Sequence, residues 1–490
     1  MMGIREFLLA LIICLLIMQF LKLLWMRRQY PSGPIPFPLI GSLWKVGWKF
    51  RRDVLLKLAS SYGNVFTLWV GHTPVVVVSG YEAVEDALVS NSDALSGRPL
   101  IPFFKVLGNE KGIMFSNGET WWQQRHFGQA ILQKLVIEKK DLEHQIGEEG
   151  RQLVEAFANE KGEPMDPSWH ILHSVSKMIC AAAFGHPFPI ENEALHTLTE
   201  HINTITKFGG SPGVLLYNMV PSLMRYIPGP HQTAINSCEF IRSFVRKEVE
   251  NHKKNGPPHE RKGYVDFYLA HMKIEKPDFD STFNDDNLVQ SVADFFIAGT
   301  DTTAATLSWA LLFMVAHPDI QAKVQDELDN GLESFKVVCY DDRKTLPYTR
   351  AVLNEVQRFS NVKLFGLLKL CTENVNILGN LIPKDTLVLP DLCSVLLDPT
   401  KWETPEKFNP NHFLDNDGKF VIRDEFFPFA AGDRSCVGKI FARTQLFIFF
   451  ACLLKAFSFR LPEGVEEVNT EPVIGAVVYP HPYKLCAVPR

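Results

Sequence analysis

Residues 426–438, Phe-Phe-Pro-Phe-Ala-Ala-Gly-Asp-Arg-Ser-Cys-Val-Gly, run directly into an apolar helical pattern over 439–457. This junction constrains the chain more than any other, because it reads as a loop delivering one cysteine to the mouth of a helix. A thiolate is favoured over a thiol there: unpaired backbone N–H groups and the positive end of the helix dipole stabilise negative charge. Cys436 is therefore a candidate metal ligand. Gly432 and Gly438 flank it where a flat, bulky ligand needs backbone to approach closely, and Arg434 supplies a cation two residues away. A lone cysteine is more often a small buried hydrophobe, so its meaning rests on its company. The stretch also nearly spells a phosphate-binding loop, which needs Gly, four residues, then Gly-Lys-Ser/Thr. Here five residues separate the glycines and Ile440 replaces the magnesium-binding hydroxyl, so neither cradle nor metal contact is supplied.

A chain of 490 residues, 46% hydrophobic and 21% charged, can bury a large core. No Ser/Gly linker, repeat or low-complexity tract divides it, which predicts one large domain behind a short leader. Fifty basic against fifty-five acidic residues leave a net charge of -5 without a dense basic run, which excludes nucleic acid as a partner. The nine cysteines are scattered and include no Cys-x-x-Cys pair, which argues against a disulfide framework or zinc knuckle. His170 and His173 share a helix face but have no nearby partner in a zinc pattern.

Residues 7–26 are almost continuously apolar, broken only by Gln19 and Lys22. Twenty helical residues at about 1.5 Å each span the roughly 30 Å hydrocarbon core. Lys22, Arg27 and Arg28 follow the segment, so the positive-inside bias keeps the bulk of the protein in the cytosol. No small-residue cleavage site follows, and the segment reads as an uncleaved anchor, residues 1–28. Pro31, Pro34, Pro36 and Pro38 then make residues 29–42 a stiff elbow, leaving 43–490 as the catalytic domain.

The pattern next predicts a helix over 54–62 and a hairpin of strands 65–70 and 74–78 around Gly71-His-Thr. Residues 82–328 alternate helical periodicity with polar breaks, including a polar loop at 253–262, and strand-like material returns at 375–390 and 473–488. The class is mainly α with a small β portion, α+β. An apolar segment, 213–224, bounded by Pro212, Pro221 and Pro228, reads as either a core helix or a membrane-dipping patch.

Two helical patterns carry unusual residues. Residues 288–316 form the longest, ended by His317-Pro318, yet its centre is Ala298-Gly299-Thr300-Asp301-Thr302-Thr303. A mid-helix glycine costs about 1 kcal/mol relative to alanine and threonine prefers strands, so such a locally poor sequence wants a reason. Threonine can bond back to a carbonyl, while Gly299 either leaves room above a flat cofactor or admits a packed helix. Glu355 and Arg358 stand three apart among Val352, Leu353, Val356 and Phe359, which argues for a buried pair needing further partners.

With Phe-x-x-Gly-x-Arg-x-Cys-x-Gly at Phe429, Gly432, Arg434, Cys436 and Gly438, the chain closely resembles the cytochrome P-450 family. The resemblance covers nearly the whole chain and is strongest to the vertebrate microsomal family 2 group. It implies the cytochrome P-450 fold and haem b with Cys436 as proximal ligand. Arg98 in Ser-Gly-Arg-Pro, Trp121 and Arg125 four apart on one helix face, Arg434 and Lys369 are implied to bind the propionates. Glu355, Arg358 and His412, in Phe408-Asn-Pro-Asn-His412-Phe413, match the trio that holds the thiolate-loop scaffold. Asp301 and Thr302 match the acid and alcohol that deliver protons to dioxygen.

The implied reaction is insertion of one oxygen atom of O2 into a lipophilic substrate: a xenobiotic, fatty acid or steroid. Relatives that isomerise peroxides commonly lack the alcohol, so Thr302 favours monooxygenation, with a peroxide isomerase or dehydratase, or a non-catalytic haem-binding protein, as the alternatives. No Gly-x-Gly-x-x-Gly fingerprint appears, so electrons from NADPH must arrive through a reductase, with a cytochrome b-type donor as a second source. Arg125, Lys134, Lys139, Lys140 and Lys439 are candidates for the docking face. The endoplasmic reticulum membrane is the implied location. The pocket is expected from Phe103, Phe104, Phe295, Phe296, Ala298, Val362, Phe365 and Val477. Three positions depart from the pattern: Lys369 stands where relatives place a histidine, Asp433 replaces a usual arginine and Lys439 a usual acid.

Overall fold

A computed structural model describes residues 3–47, 51–138, 140–188, 193–255, 260–274, 281–333 and 337–490. Helix α1 (Ile4–Met26) is apolar on all sides and buries only Leu23. Among the described residues it is the one helix, continued to Gln29, long and apolar enough to cross a membrane. Its C-terminal end is fastened to the domain behind it: Phe20 stacks on Phe37 at 5.9 Å, and Gln19 Nε2 reaches the His72 ring. The elbow is stitched to the sheet as well as stiffened by proline. Thr67 donates its N–H to Ser32 O at 3.0 Å and its hydroxyl to Pro31 O at 2.8 Å. A Cβ on Gly33 would lie 2.0 Å from Thr67 O, so only glycine permits this approach.

After helix α2 (Arg52–Tyr62), strands β1 (Val65–Val70) and β2 (Thr73–Val78) form the expected hairpin, with Val65 opposite Val78 and Val70 opposite Thr73. β3 (Lys369–Leu370) and β4 (Leu387–Pro390) complete a four-stranded sheet in the order β1-β2-β4-β3. The β2–β4 pair is parallel, which brings residues three hundred apart in sequence side by side. This sheet places Lys369 at its inner edge.

The helical body comprises α3 (Pro102–Gly108), α4 (Gly118–Gln133), α5 (Ser168–Phe184), α6 (Glu193–Gly209), α7 (Pro212–Met219), α8 (Pro230–Asn255), α9 (Asp285–Ala316), α10 (Pro347–Ser360) and α11 (Lys439–Ala456). Helix α8 carries the chain to Asn255, so Lys253 and Lys254 of the expected polar loop are helical; 256–259 lie outside the described residues. Helix α9 is the axis of the core and starts three residues before the expected 288. Asn284 caps it by accepting Asn287 N–H at 2.9 Å, and Asp285 and Asp286 suit the positive end of its dipole. No residue of α7 is fully buried, and Leu216, Val220, Leu223, Tyr226 and Ile227 are exposed. That removes the core-helix alternative for 213–224 and leaves an apolar surface patch.

Candidate active site

Cys436 donates its backbone N–H to Phe429 O at 3.0 Å, closing the loop just before α11. Its side chain is left exposed, with no protein group covering it. Burial pushes the thiol up, while the Gly438 N–H and the charges of Arg125, Lys439 and Arg443 pull towards thiolate. The two flanking glycines have different causes. Gly432 adopts φ +71°, and a Cβ there would meet Leu88 O at 1.8 Å, so it is dictated by protein backbone rather than by a ligand. Around Gly438 nothing lies within 4 Å of a Cβ position, so the approach to that side of the loop is open.

Between Asn287 and Val315, α9 is buried except at Phe295, Ile297, Ala298, Gly299 and Thr302. Ala298 is exposed at mid-helix, and Thr302 stands one turn further on the same face. That face therefore borders interior space. The Thr302 hydroxyl donates to Ala298 O at 2.7 Å, the back-bond expected of a helical threonine. Gly299 serves the other alternative: a Cβ would come within 2.7 Å of Ile179 Cδ1 on α5, so it admits a neighbouring helix and not a cofactor. Asp301 lies about 100° round from Thr302 and is buried, with the hydroxyls of Thr206 and Tyr479 beside its carboxylate. Burial raises it, and Thr206, Tyr479, Lys363 and Lys207 draw it back. Lys363 donates to Ala476 O at 2.6 Å, and burial brings it down to about 8.

Four cations gather beside the thiolate loop. Arg98 gives Nη1 to Leu368 O at 3.0 Å and Nε to Met114 O at 3.2 Å. Arg434 gives Nε to Ser96 O at 2.6 Å and Nη2 to Ser116 O at 2.7 Å. Among the described residues Arg125 reaches only Ser435 Oγ, at 3.4 Å, and Lys369 only Leu95 O, at 3.4 Å. All four are buried, and among the described residues none forms an ion pair. Burial and the charges of Arg98 and Arg125 drive Arg434 down to about 7; burial and three arginines hold Lys369 well below its usual range. A guanidinium keeps its proton, so this cost reads as a demand for anions. Arg434 Nη1 and Trp121 Nε1 are buried donors without a protein acceptor. A group carrying two carboxylates fits this cradle. Asp433 does not fill it, since its carboxylate and N–H are both engaged with Ser92 Oγ, at 2.9 and 2.8 Å.

The family model described as Cytochrome P450 matches residues 31–487. This chain belongs to the cytochrome P450 family. It is 36% identical to Cytochrome P450 2J2 of Homo sapiens, over 99% of this chain and 96% of that protein. It is 39% identical to Cytochrome P450 2D20 of Mesocricetus auratus (95% and 94%) and 36% to Cytochrome P450 2C3 of Oryctolagus cuniculus (97% of each). It is a haem-thiolate monooxygenase, with haem b as cofactor and O2 as co-substrate. The unpaired donors and unbalanced cations of the cradle fit a haem's two propionates.

In this cytochrome P450 the trio anticipated from sequence meets in one buried knot. Arg358 binds Glu355 through Nε and Nη2, both at 2.7 Å, and gives its remaining hydrogens to Leu396, Pro405 and Lys407 carbonyls at 2.9 to 3.0 Å. The Thr404 N–H donates to His412 Nε2 at 3.2 Å, so the ring proton sits on Nδ1 and points at Glu355, 3.2 Å away. Every polar group is satisfied, which is what a buried pair requires.

Of the pocket residues expected from sequence, Phe104, Phe295, Ala298, Val362 and Phe365 retain open area. Phe296 does not face the pocket: it is fully buried against Phe184 and Phe244, about 200° round the helix from Ala298. Phe295 packs on Tyr264 at 4.9 Å, Phe103 is sealed against Phe208 at 5.2 Å, and Val477 is buried. Two residues escaped sequence reading. Asp294, an acid in an apolar helix pattern, accepts Ile113 and Met114 N–H at 2.8 and 2.9 Å and so holds the loop that supplies Met114 O to Arg98. Arg443, one turn beyond Lys439 on α11, carries a charge that reaches Cys436. Lys139, anticipated in the docking face, lies outside the described residues.

Proposed function

We propose that Cys436 is the proximal ligand of a haem b whose propionates are held by Arg98, Trp121, Arg125, Lys369 and Arg434. The observation that carries this is the convergence of four unpaired buried cations with two orphaned donors beside an exposed cysteine. When bound, haem supplies dioxygen activation and one-electron chemistry, with the thiolate donating electron density to it.

The chain's own groups do the rest. The Gly438 N–H, Arg125, Lys439 and Arg443 hold negative charge at Cys436 Sγ. Thr302 turns a hydroxyl between Ala298 O and the interior space, so it can pass a proton there. Asp301, behind it, is the reservoir from which that proton is renewed. Glu355, Arg358 and His412 keep the segment before the thiolate loop rigid. Ala298, Val362, Phe365 and Phe104 exclude water and bind an apolar molecule, and apolar walls of this kind distinguish a methylene by only about 1 to 3 kcal/mol. The family's chemistry, hydroxylation or epoxidation of a xenobiotic, fatty acid or steroid, is compatible with this lining.

Residues 1–28 anchor the protein in the endoplasmic reticulum membrane and 29–42 form the elbow. The catalytic domain, 43–490, lies on the cytoplasmic face, where NADPH-cytochrome P450 reductase, with a cytochrome b-type protein as second donor, supplies electrons. Supporting this are the apolar α1, the basic flank after it, and the exposed apolar residues of 212–227. The reduced carbon-monoxide difference spectrum tests the reading: a thiolate-type Soret band is expected in the purified protein and its loss in Cys436→Ser. Its absence from the unmodified protein overturns the assignment.

A further inference from the structure

Asp301 is buried at mid-length of α9, and the groups that face it come from three other segments of the chain. Thr206 and Lys207 belong to α6, Lys363 to the segment after α10, and Tyr479 to the C-terminal region. Each segment is fixed by contacts of its own. The antiparallel pair Pro472–Val473 and Tyr479–Pro480 is fastened to α9, where Trp309 Nε1 donates to Val478 O at 3.0 Å and the Tyr483 hydroxyl to Ser308 O at 2.6 Å. Val478 donates its N–H to Val362 O at 3.0 Å and Lys363 Nζ donates to Ala476 O at 2.6 Å, so 362–363 and 476–478 form one piece. The end of α6 is drawn onto the same piece. A Cβ on Gly210 would lie 2.2 Å from Ala476 N, so only glycine lets the helix end come so close. Gly210 donates its N–H to Thr206 O at 3.1 Å, which sets Thr206 one turn before that contact.

The chemistry of these groups is one-sided. Burial alone would make Asp301 keep its proton, and all of its neighbours favour the ionised form instead. Thr206 turns a hydroxyl between Ile202 O, at 3.1 Å, and the Asp301 carboxylate. Tyr479 is held far above its usual range by burial and by Asp301, so it stays a hydroxyl and can only donate to that carboxylate. Lys363 forms no ion pair among the described residues: it spends one hydrogen on Ala476 O and sets its charge against Asp301 from beyond contact distance. Burial lowers it only to about 8, so it remains a cation at neutral pH. Lys207, exposed on α6, adds charge from the solvent side. Thr206, Lys363 and Tyr479 are themselves half-buried, and the seam between their segments leads outward from a fully buried acid.

We infer that Lys363, Tyr479 and Thr206 clamp Asp301 so that it can release a proton toward Thr302 at neutral pH. This rests on reading Asp301 as the reservoir behind Thr302. In each cycle one proton leaves the carboxyl as the Thr302 hydroxyl is spent, and one returns from water along the seam; no electrons move in either step. Without the clamp the buried acid holds its proton too tightly to give it up, and reducing equivalents leave as peroxide. Lys363, Tyr479 and Thr206 act through Asp301 and touch no reacting atom, so they are positioning residues.

Two measurements on the full-length holoenzyme test the clamp. In infrared spectra, the band lost in Asp301→Asn identifies the protonated carboxyl, and its pH titration is the first readout. Lys363→Met is expected to raise the midpoint by about one pH unit, a proton held about ten-fold more tightly, while Lys363→Arg keeps the parent midpoint. Tyr479→Phe, which removes only a hydroxyl, is expected to raise it by about half a unit. An unchanged midpoint in either variant overturns the clamp, and Tyr479→Phe decides alone if Lys363→Met does not fold. The second readout is peroxide released per NADPH across pH, with reductase and with styrene as a neutral probe. The acid limb, where peroxide rises, is expected to move up in Lys363→Met by the same unit as the midpoint. A raised midpoint with an unmoved limb overturns the link to turnover. A styrene Kd changed more than two-fold with an unmoved midpoint assigns Lys363 to the substrate pocket and overturns the clamp as well. A normal carbon-monoxide spectrum and melting temperature separate these outcomes from misfolding. If Thr302→Ala couples like the parent while the midpoints shift, the proton-delivery reading fails and the clamp on Asp301 stands without it.

Discussion

The guanidinium of Arg434 lies on the indole of Trp121, its central carbon 3.9 Å from the ring centroid. The stack fixes both groups, and it leaves Arg434 Nη1 and Trp121 Nε1 as unspent donors from one rigid pair. A cation over a ring face is usually content with the ring. Here the cation is also crowded by Arg98 and Arg125, so the pair is poised for an anion.

Trp121→Phe keeps the stack and removes only the N–H. Haem transfer to apomyoglobin is expected to quicken about ten-fold, the loss of one hydrogen bond to a charged group, about 1.5 kcal/mol. Arg434→Met removes charge and stack together, and the rate should rise by about a hundred-fold or more. Equal rates in the parent and Trp121→Phe would show that the indole N–H holds no propionate.

Arg358→Lys preserves charge but not the planar fork that serves Glu355 and three carbonyls at once. Several buried acceptors are left unmet, and a broken buried pair costs about 3 to 5 kcal/mol. The expected outcome is little folded holoenzyme and a melting temperature lowered by several degrees. A melting temperature within a degree of the parent contradicts the scaffold role.

Thr302→Ala removes the hydroxyl bonded to Ala298 O without altering helix packing. NADPH consumption should continue while product formed per NADPH falls several-fold, with peroxide appearing instead. Thr302→Ser should recover most of the coupling. If Thr302→Ala couples as well as the parent, the hydroxyl does not deliver the proton.

Burial lifts the Asp294 carboxyl from 3.8 to about 6, against the pull of the Met114, Gln290 and Ile113 donors. Folding therefore tightens its proton. Its stabilising contribution is complete below the unfolded value and is lost as pH rises through about 6, amounting to roughly 2 to 3 kcal/mol. Asp294→Asn still offers an oxygen to Ile113 and Met114 but takes the Oδ1 acceptor from Gln290, whose Nε2 also holds Leu107 O. The variant should lose this pH dependence, so that its melting temperature relative to the parent's is several degrees higher at pH 7 than at pH 4. A parallel pH dependence in both proteins assigns the titration to another group.

Sequence reading reached furthest where function is carried by short spacing. Glu355 and Arg358 were legible as a buried pair from their spacing among apolar neighbours, while His412 came from the family resemblance alone; the three close at 2.7 to 3.3 Å. The long helix was legible from its periodicity, but the expected pocket included both Phe296 and Ala298, which stand about 200° apart on a helix. Which of the two faces borders the pocket is decided by Phe184 and Phe244, and no local pattern announces them. The glycines make the same point. Gly432 and Gly299 each have a steric reason, Leu88 O and Ile179, supplied from more than a hundred residues away. The cradle was legible in its charges but not in its supports, since Ser96 and Ser116 act through backbone carbonyls that any residue type would provide.

The fastening of Pro31 and Ser32 to Thr67 has a mechanical meaning. An anchor joined by a loose thread lets its cargo tumble, and every collision with a membrane-bound electron donor must then wait for a chance alignment. If α1 is the proposed anchor, bolting it to the first strand of the sheet makes it a keel: the domain would spin about one axis and present a constant latitude to the surface. Donor and acceptor then search a single angle, and the orientational penalty on their encounter shrinks accordingly.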